Sequence, residues 1–236
     1  MGQGHGWQGT VLKLMGAKDF EFTVTGAEDV SPDYRRLHLT DGGMLAATGV
    51  HPTMWVRLWF TDGGKPHQRA YTLVDPDPEA GTFSLEFALH EGVASDWARA
   101  ARAGDTIEAT VQGTGFQHPR PEPSHVFAMA DPASLPALNS LLDALGTAPA
   151  TIWFEGTLDG LPCRADASRH ELRPVARHEL VDAVRADLPD LVKGTDQPYV
   201  WIACDTVTTR NLSAYVRKEL GVAKDRMHAL GYWRAT

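Results

Sequence analysis

The chain has 236 residues, 43% of them hydrophobic and 22% charged, the make-up of a soluble globular protein with one large domain or two small ones. Its formal net charge of −8 argues against nonspecific nucleic-acid binding, and no apolar run is long enough to enter a membrane as a spanning helix. Cys163 and Cys204 are the only cysteines, too few for a disulfide framework, so a reducing cytoplasm is the expected location.

The opening "MGQGHGWQGT" has no charged-then-apolar signal pattern and reads as a flexible tail over residues 1–18. Six strands are expected next: "FEFTV" (20–24), "RRLHLT" (35–40), "TMWVRLWF" (53–60), "RAYTLV" (69–74), "TFSLEFALH" (82–90) and "TIEATV" (106–111). Gly and Pro clusters such as "TDGGKP" and "DPDPEAG" separate them, and this spacing suggests a closed or nearly closed antiparallel barrel over 19–118. One helix interrupts the strands in "EGVASDWARAARAGD", with Ser95 as its expected cap and Gly104 as its stop. The three prolines of "FQHPRPEPSH" (116–125) mark a stiff linker and a domain boundary.

From 119 to 236 the pattern changes. Strand-like "HVFAMA" (125–130), "ATIWFEG" (150–156), "PYVWIAC" (198–204) and "MHALGYW" (227–233) alternate with helical stretches. The first helix carries Leu135, Leu138, Leu141, Leu142 and Leu145 on one face, and the second, 177–189, is expected to end at Pro189. The third aligns Leu212, Tyr215, Val216 and Leu220 before Gly221. This alternation predicts a small, mostly parallel sheet with helices on its faces, whose ligands would sit beyond the carboxyl ends of the strands. The ten histidines are scattered and form no metal-binding motif.

Two stretches carry chemistry. In "HQRAYTLVDP", Arg69 suits a phosphate, Tyr71 offers a ring and a phenol, and the Thr72 hydroxyl can bond a ring nitrogen. Strand alternation puts Arg69 and Tyr71 on one face and Thr72 on the other. Alone, the stretch also fits an edge strand with a solvated Arg. In "LHEGVASDWA", a strand runs through a Gly-containing turn into a helix start, where free N–H groups favour a phosphate and Gly92, Ala94 and Ser95 are small enough to admit one.

Together with "FAMADPASLPALNSLLDAL" and "YVWIACDTVTTRNLSAYVRKEL…GYWR", these stretches resemble the siderophore-interacting proteins, FAD-containing ferric-siderophore reductases related to the ferredoxin reductases. The resemblance runs in order from about residue 20 to 234. It implies an N-terminal antiparallel flavin-binding β-barrel followed by a small, mostly parallel α/β domain of the NAD(P)H-domain type. It implies FAD held by Arg69 at the pyrophosphate, Tyr71 against the ring system, Thr72 near the flavin N5, and His90, Gly92, Ala94 and Ser95 around the pyrophosphate turn. Asp131 would lie near the adenine side, and Arg57 and Arg234 would face the siderophore. The substrate it implies is a ferric siderophore, reduced to release Fe(II), with no catalytic side chain beyond those that hold the flavin.

Some positions depart from the family pattern. Asp96 stands where the family has Arg, an acid that must point away from a phosphate; Ala133 lacks a hydroxyl; and Cys204 replaces a glycine, adding a side chain where a cofactor could approach the backbone. The electron donor is therefore either NAD(P)H or a reduced ferredoxin, the latter a protein partner. Two other readings stay open, a different flavin NAD(P)H oxidoreductase and a non-catalytic siderophore- or flavin-binding protein.

Overall fold

The computed structural model describes residues 18–111 and 114–234, so most of the tail expected over 1–18 lies outside the described residues. The chain divides into two compact units, Met1–Phe116 and Gln117–Thr236.

The first unit is built from β1 (Lys18–Ser31), β2 (Tyr34–Thr40), β3 (Trp55–Asp62), β4 (Lys65–Asp77), β5 (Thr82–Ala88) and β6 (Thr106–Val111), closed into an antiparallel barrel in the order β1-β2-β5-β4-β3-β6. All six expected strands are present. Strand alternation fills the interior with Phe22, Leu37, Leu39, Val56, Leu58, Phe60, Leu85 and Phe87. A five-residue helix, α1 (Met44–Thr48), had no signal in the sequence because it is too short to show a period. Asp41 starts it by accepting from the N–H groups of Gly43 and Leu45 at 2.9 and 2.6 Å.

Helix α2 (Val93–Ala100) lays Ala94, Ala98 and Trp97 on the barrel core. Its N-cap is Gly92, and Ser95 lies inside the helix, correcting the expected cap. The Ser95 hydroxyl turns back to accept the His90 N–H at 3.1 Å. The helix also stops short of Gly104, with Ala101 as its C-cap.

The second unit holds β7 (His125–Ala130), α3 (Leu135–Ala144), β8 (Ala150–Glu155), β9 (His170–Val175), α4 (Leu180–Lys193), β10 (Pro198–Ala203), α5 (Thr206–Lys218) and β11 (Met227–Ala229). The sheet order is β11-β10-β7-β8-β9 and every pairing is parallel. The chain runs outward from β7 on one side and returns to β10 on the other, so the topological switch lies between these two strands. Helices α4 and α5 cover one face, burying Phe127, Met129, Trp153, Ile202 and Cys204.

Two expectations are corrected here, and one strand is new. The helix over 177–189 does not end at Pro189: a 3-10 turn (Arg177–Glu179) leads into α4, which continues to Lys193 with Pro189 inside it. Proline lacks the N–H that would bond the carbonyl of Arg185, but the Tyr215 hydroxyl approaches that carbonyl at 3.4 Å, and Leu191 and Val192 pack on the core beyond it. The edge strand β9 went unread because "HELRPV" is charged and holds a proline, both suited to an edge. The last strand proper is only three residues long, but beyond it the chain stays bonded to the β10 line, with the Leu230 N–H donating to the Ile202 carbonyl at 3.0 Å and the Tyr232 N–H to the Cys204 carbonyl at 2.9 Å, up to the bridge between Trp233 and Asp205.

Candidate functional site

In the barrel, β4 pairs with β3 from Lys65 to Thr72 but joins β5 only from Leu73 onward. β5 pairs with β2 from Thr82 to Ala88 on its opposite edge and meets β4 only through Leu85, Ser84 and Thr82, so residues 69–72 of β4 stand outside the ladder on their β5 side. Directly opposed residues of an antiparallel pair share a face. Tyr71 opposes Val56 and turns inward, its ring 4.3 Å from Phe87 and 6.5 Å from Phe60. Thr72 opposes Trp55 and takes the other face.

Burial raises the Tyr71 phenol well above its usual range, and the charge of Arg69 works against that rise. Arg69 is exposed and donates to the Gln68 carbonyl at 2.7 Å. Thr72 is 5% exposed, and its Oγ1 is buried without a hydrogen-bond partner. A buried hydroxyl with nothing to bond is costly, by about 1–3 kcal/mol, and marks a place where a ligand atom is expected.

The turn from β5 into α2 is held by its own groups. The His90 Nδ1–H donates to the Glu91 carbonyl at 2.6 Å, and Arg99 donates to the His90 carbonyl at 3.1 Å. Gly92 sits at φ 136°, where side chains are strained, and provides no side-chain cap. The first N–H groups of α2 therefore have no side-chain acceptor from the cap, the arrangement an anion favours. Asp96 is drawn to Arg99 at 3.0 Å on the exposed side of the helix. Trp97 of α2 lies 6.0 Å from Phe87, which in turn packs on Tyr71, so one aromatic cluster joins the two stretches singled out in the sequence.

Arg57 lies on the same barrel face as Thr72, its guanidinium 4.4 Å from the centre of the Trp55 ring. Asp131 and Arg234 belong to the α/β unit. Arg234 is exposed. Asp131 is 1% exposed at the end of β7; it accepts from the Ser134 N–H at 2.9 Å and from Trp233 Nε1 at 2.7 Å. Burial raises its carboxyl above the usual range, against the pull of those bonds.

Sequence reasoning missed the companions of Asp131. Glu155 ends β8, 3.6 Å from Arg177, with its Oε2 buried and unbonded. Burial raises Glu155, and the charges of Asp131 and Asp205 add to the rise. Arg177 lies over the Trp233 ring at 4.6 Å. Asp205 caps α5 by accepting from Val207 and Thr208; burial pushes its carboxyl up, but those bonds outweigh it and hold it below the usual value. Cys204 points into the helix-covered core, and burial together with the three carboxylates drives its thiol far up. The available signal was Glu155, a charged residue ending an otherwise buried strand. Among the described residues, no group of His, Cys, Asp and Glu is placed to hold a metal ion, and no helix is long and apolar enough to cross a membrane.

Residues 50–113 match the siderophore-interacting FAD-binding domain, and residues 123–236 match the siderophore-interacting protein model. The mycobactin import ATP-binding/permease protein IrtA of Mycolicibacterium smegmatis is 31% identical over 97% of this chain, which spans only 27% of that protein's length. Ferric acinetobactin reductase of Acinetobacter baumannii is 23% identical over 94% of this chain and 80% of its own. Among solved structures, a siderophore-interacting protein from the same organism superposes with a TM-score of 0.79 at 21% identity, over 92% of this chain and 90% of that one. A ferredoxin NADP+ reductase from Neisseria gonorrhoeae superposes with a TM-score of 0.71 at 14% identity, over 92% and 99% of the two chains, so the fold is ferredoxin-reductase-like. With both halves matching the paired models of one family in the expected order, the chain belongs to the siderophore-interacting proteins.

Proposed function

We propose that this chain is an FAD-dependent reductase of ferric siderophores, acting in the cytoplasm to release Fe(II). The observation that carries the reading is the buried, unbonded Thr72 hydroxyl beside Tyr71, on a stretch of β4 whose other edge is outside the ladder. The match of residues 50–113 to an FAD-binding domain and the names of the two curated relatives support it.

The residues present fit FAD. Arg69 takes the pyrophosphate by charge-assisted bonds, and the uncapped start of α2, with Gly92, Ala94, Ser95 and the turn residue His90, takes its remaining oxygens. Tyr71, backed by Phe87, supplies a ring to stack on, and Thr72 bonds the N5 region. Bound FAD would supply single-electron transfer to Fe(III), which no side chain here can provide. Fe(III) is a hard ion held by anionic oxygens, and reduction lowers its charge and loosens that chelate. Arg57 in the barrel unit and Arg234 in the α/β unit each offer a cation suited to an anionic chelate. Asp131, expected near the adenine side, has its carboxylate bonded within its own unit to Ser134 and Trp233. The donor is NAD(P)H or a reduced ferredoxin.

The test is a redox cycle on the purified protein. It should be yellow, bleach with a chemical reductant, and regain colour on addition of a ferric siderophore while an Fe(II) indicator develops. Retained flavin that dioxygen or a quinone reoxidises, but no ferric chelate does, would overturn the reading in favour of another oxidoreductase. Adding NADH, NADPH or reduced ferredoxin in place of the chemical reductant identifies the donor.

A further inference from the structure

On the outer face of the barrel, Trp55 and Arg57 project from β3, and Thr72 and Ala70 project opposite them from β4. Facing partners of an antiparallel pair lie roughly 5 Å apart, so these four residues form one small patch. Ala70 is exposed and contributes only a methyl group, which leaves room beside the two large side chains. Trp55 and Arg57 are both half-buried, and the guanidinium is 4.4 Å from the indole centre. The next tryptophan on this face, Trp59, is used differently: it is 8% exposed and donates through Nε1 to Thr110 at 2.8 Å. Trp55 thus stands next to Thr72 on this face, with a cation over one side of its ring and the other side left to a ligand, and its main chain is fixed by donation to Thr114 Oγ1 at 3.3 Å.

We propose that Trp55 is a specificity-determining residue for the ferric chelate, forming with Arg57 a platform that receives a flat aryl-oxygen arm, a phenolate or a catecholate, beside Thr72. This rests on the reductase reading of the same site. An indole face stacks on a planar π-system and gains little from an aliphatic hydroxamate arm. The guanidinium serves both parts of such an arm, its donors meeting the anionic oxygens and its plane lying over the ring. Burial lowers the pKa of Arg57, the mark of a cation partly stripped of water, which strengthens its contact with an anion. The neighbouring Thr72 bonds the N5 region in this reading, so the aryl arm is held next to the source of electrons.

The test compares FAD-loaded wild type with Trp55→Leu and Trp55→Phe. Calorimetry measures binding of two redox-inert gallium(III) chelates, a tris(2,3-dihydroxybenzoate) complex and a linear trihydroxamate. Trp55→Leu should weaken the catecholate complex at least tenfold and change the hydroxamate less than twofold, and Trp55→Phe should restore most of the loss. Equal losses for both chelates, or none for the catecholate, would overturn the proposal. Stopped-flow reoxidation of the chemically reduced protein by the iron(III) forms separates it from the parent reading. If gallium binding discriminates but neither ferric chelate takes electrons, the platform stands and the reductase falls. If both chelates take electrons and Trp55→Leu treats them alike, the reductase stands and the platform falls.

Discussion

Trp233 donates its indole N–H to Asp131 at 2.7 Å, joining the end of the last strand region to the carboxyl end of β7. The same ring lies under the Arg177 guanidinium, so one aromatic side chain connects a buried acid to a cation across the switch point of the sheet. Replacing Trp233 with Phe keeps a ring and removes the donor. One Asp131 oxygen then loses its partner, and stability at neutral pH should fall by about 1–3 kcal/mol.

That deficit should depend on pH with a definite sign. Burial raises the Asp131 carboxyl above its usual value, so the folded state holds the proton more firmly than the unfolded chain does. The contribution of this group is most favourable at low pH and declines as pH rises from the usual carboxylate value, about 4, through the raised one. Losing the Trp233 bond lifts the folded value further and widens that window. Urea melts of Trp233→Phe and wild type should differ most near pH 7 and least near pH 4; a constant difference would refute the account.

Much of the barrel was legible because its strands alternate cleanly, as in "TIEATV", where Ile107, Ala109 and Val111 pack inward. The four strands expected in the α/β half were likewise found. What stayed hidden depended on partners far along the chain. Pro189 looks like a helix stop until Tyr215, on another helix, approaches the orphaned carbonyl. Glu155, Arg177 and Trp233 are brought together only by the sheet order. In the barrel, the sequence showed that Arg69, Tyr71 and Thr72 could hold a cofactor. That Thr72 is buried with its hydroxyl unbonded, and shares a face with Trp55, follows from the register of β3 and β4.

Thr72→Val tests the unbonded hydroxyl directly. In apoprotein a hydroxyl with no partner stabilises nothing, so removing it should leave the melting temperature unchanged or slightly raised. The same variant should bind FAD about tenfold more weakly, the effect of one lost hydrogen bond. Thermal melts of the apoprotein and a flavin-fluorescence titration measure the two effects. A destabilised apoprotein would mean that the hydroxyl has a partner within the fold.

Arg69→Ala should leave the barrel intact, because the side chain is exposed and its recorded bond is to the adjacent Gln68 carbonyl. FAD affinity should fall at least tenfold through loss of a charge-assisted contact. Arg69→Lys should recover part of it, since an ammonium keeps the charge but loses the bidentate fork. Full flavin content in purified Arg69→Ala would remove Arg69 from the pyrophosphate site.

Cys204 separates packing from cofactor access. Its side chain is fully buried among Ile202, Leu212 and Val216, beneath α4 and α5, so it fills core space and does not stand over the backbone where a glycine would have helped a cofactor. Burial and the nearby carboxylates also keep its thiol protonated. A thiol reagent should therefore find only Cys163 in the native protein, slowly because that residue is half-buried and its thiol is also raised by burial, and both cysteines after denaturation. Cys204→Gly should cost about 2 kcal/mol or more, through the cavity and the added backbone freedom, and should leave the rate of flavin reduction by NADH or NADPH unchanged. A faster reduction would show that the side chain blocks the donor after all.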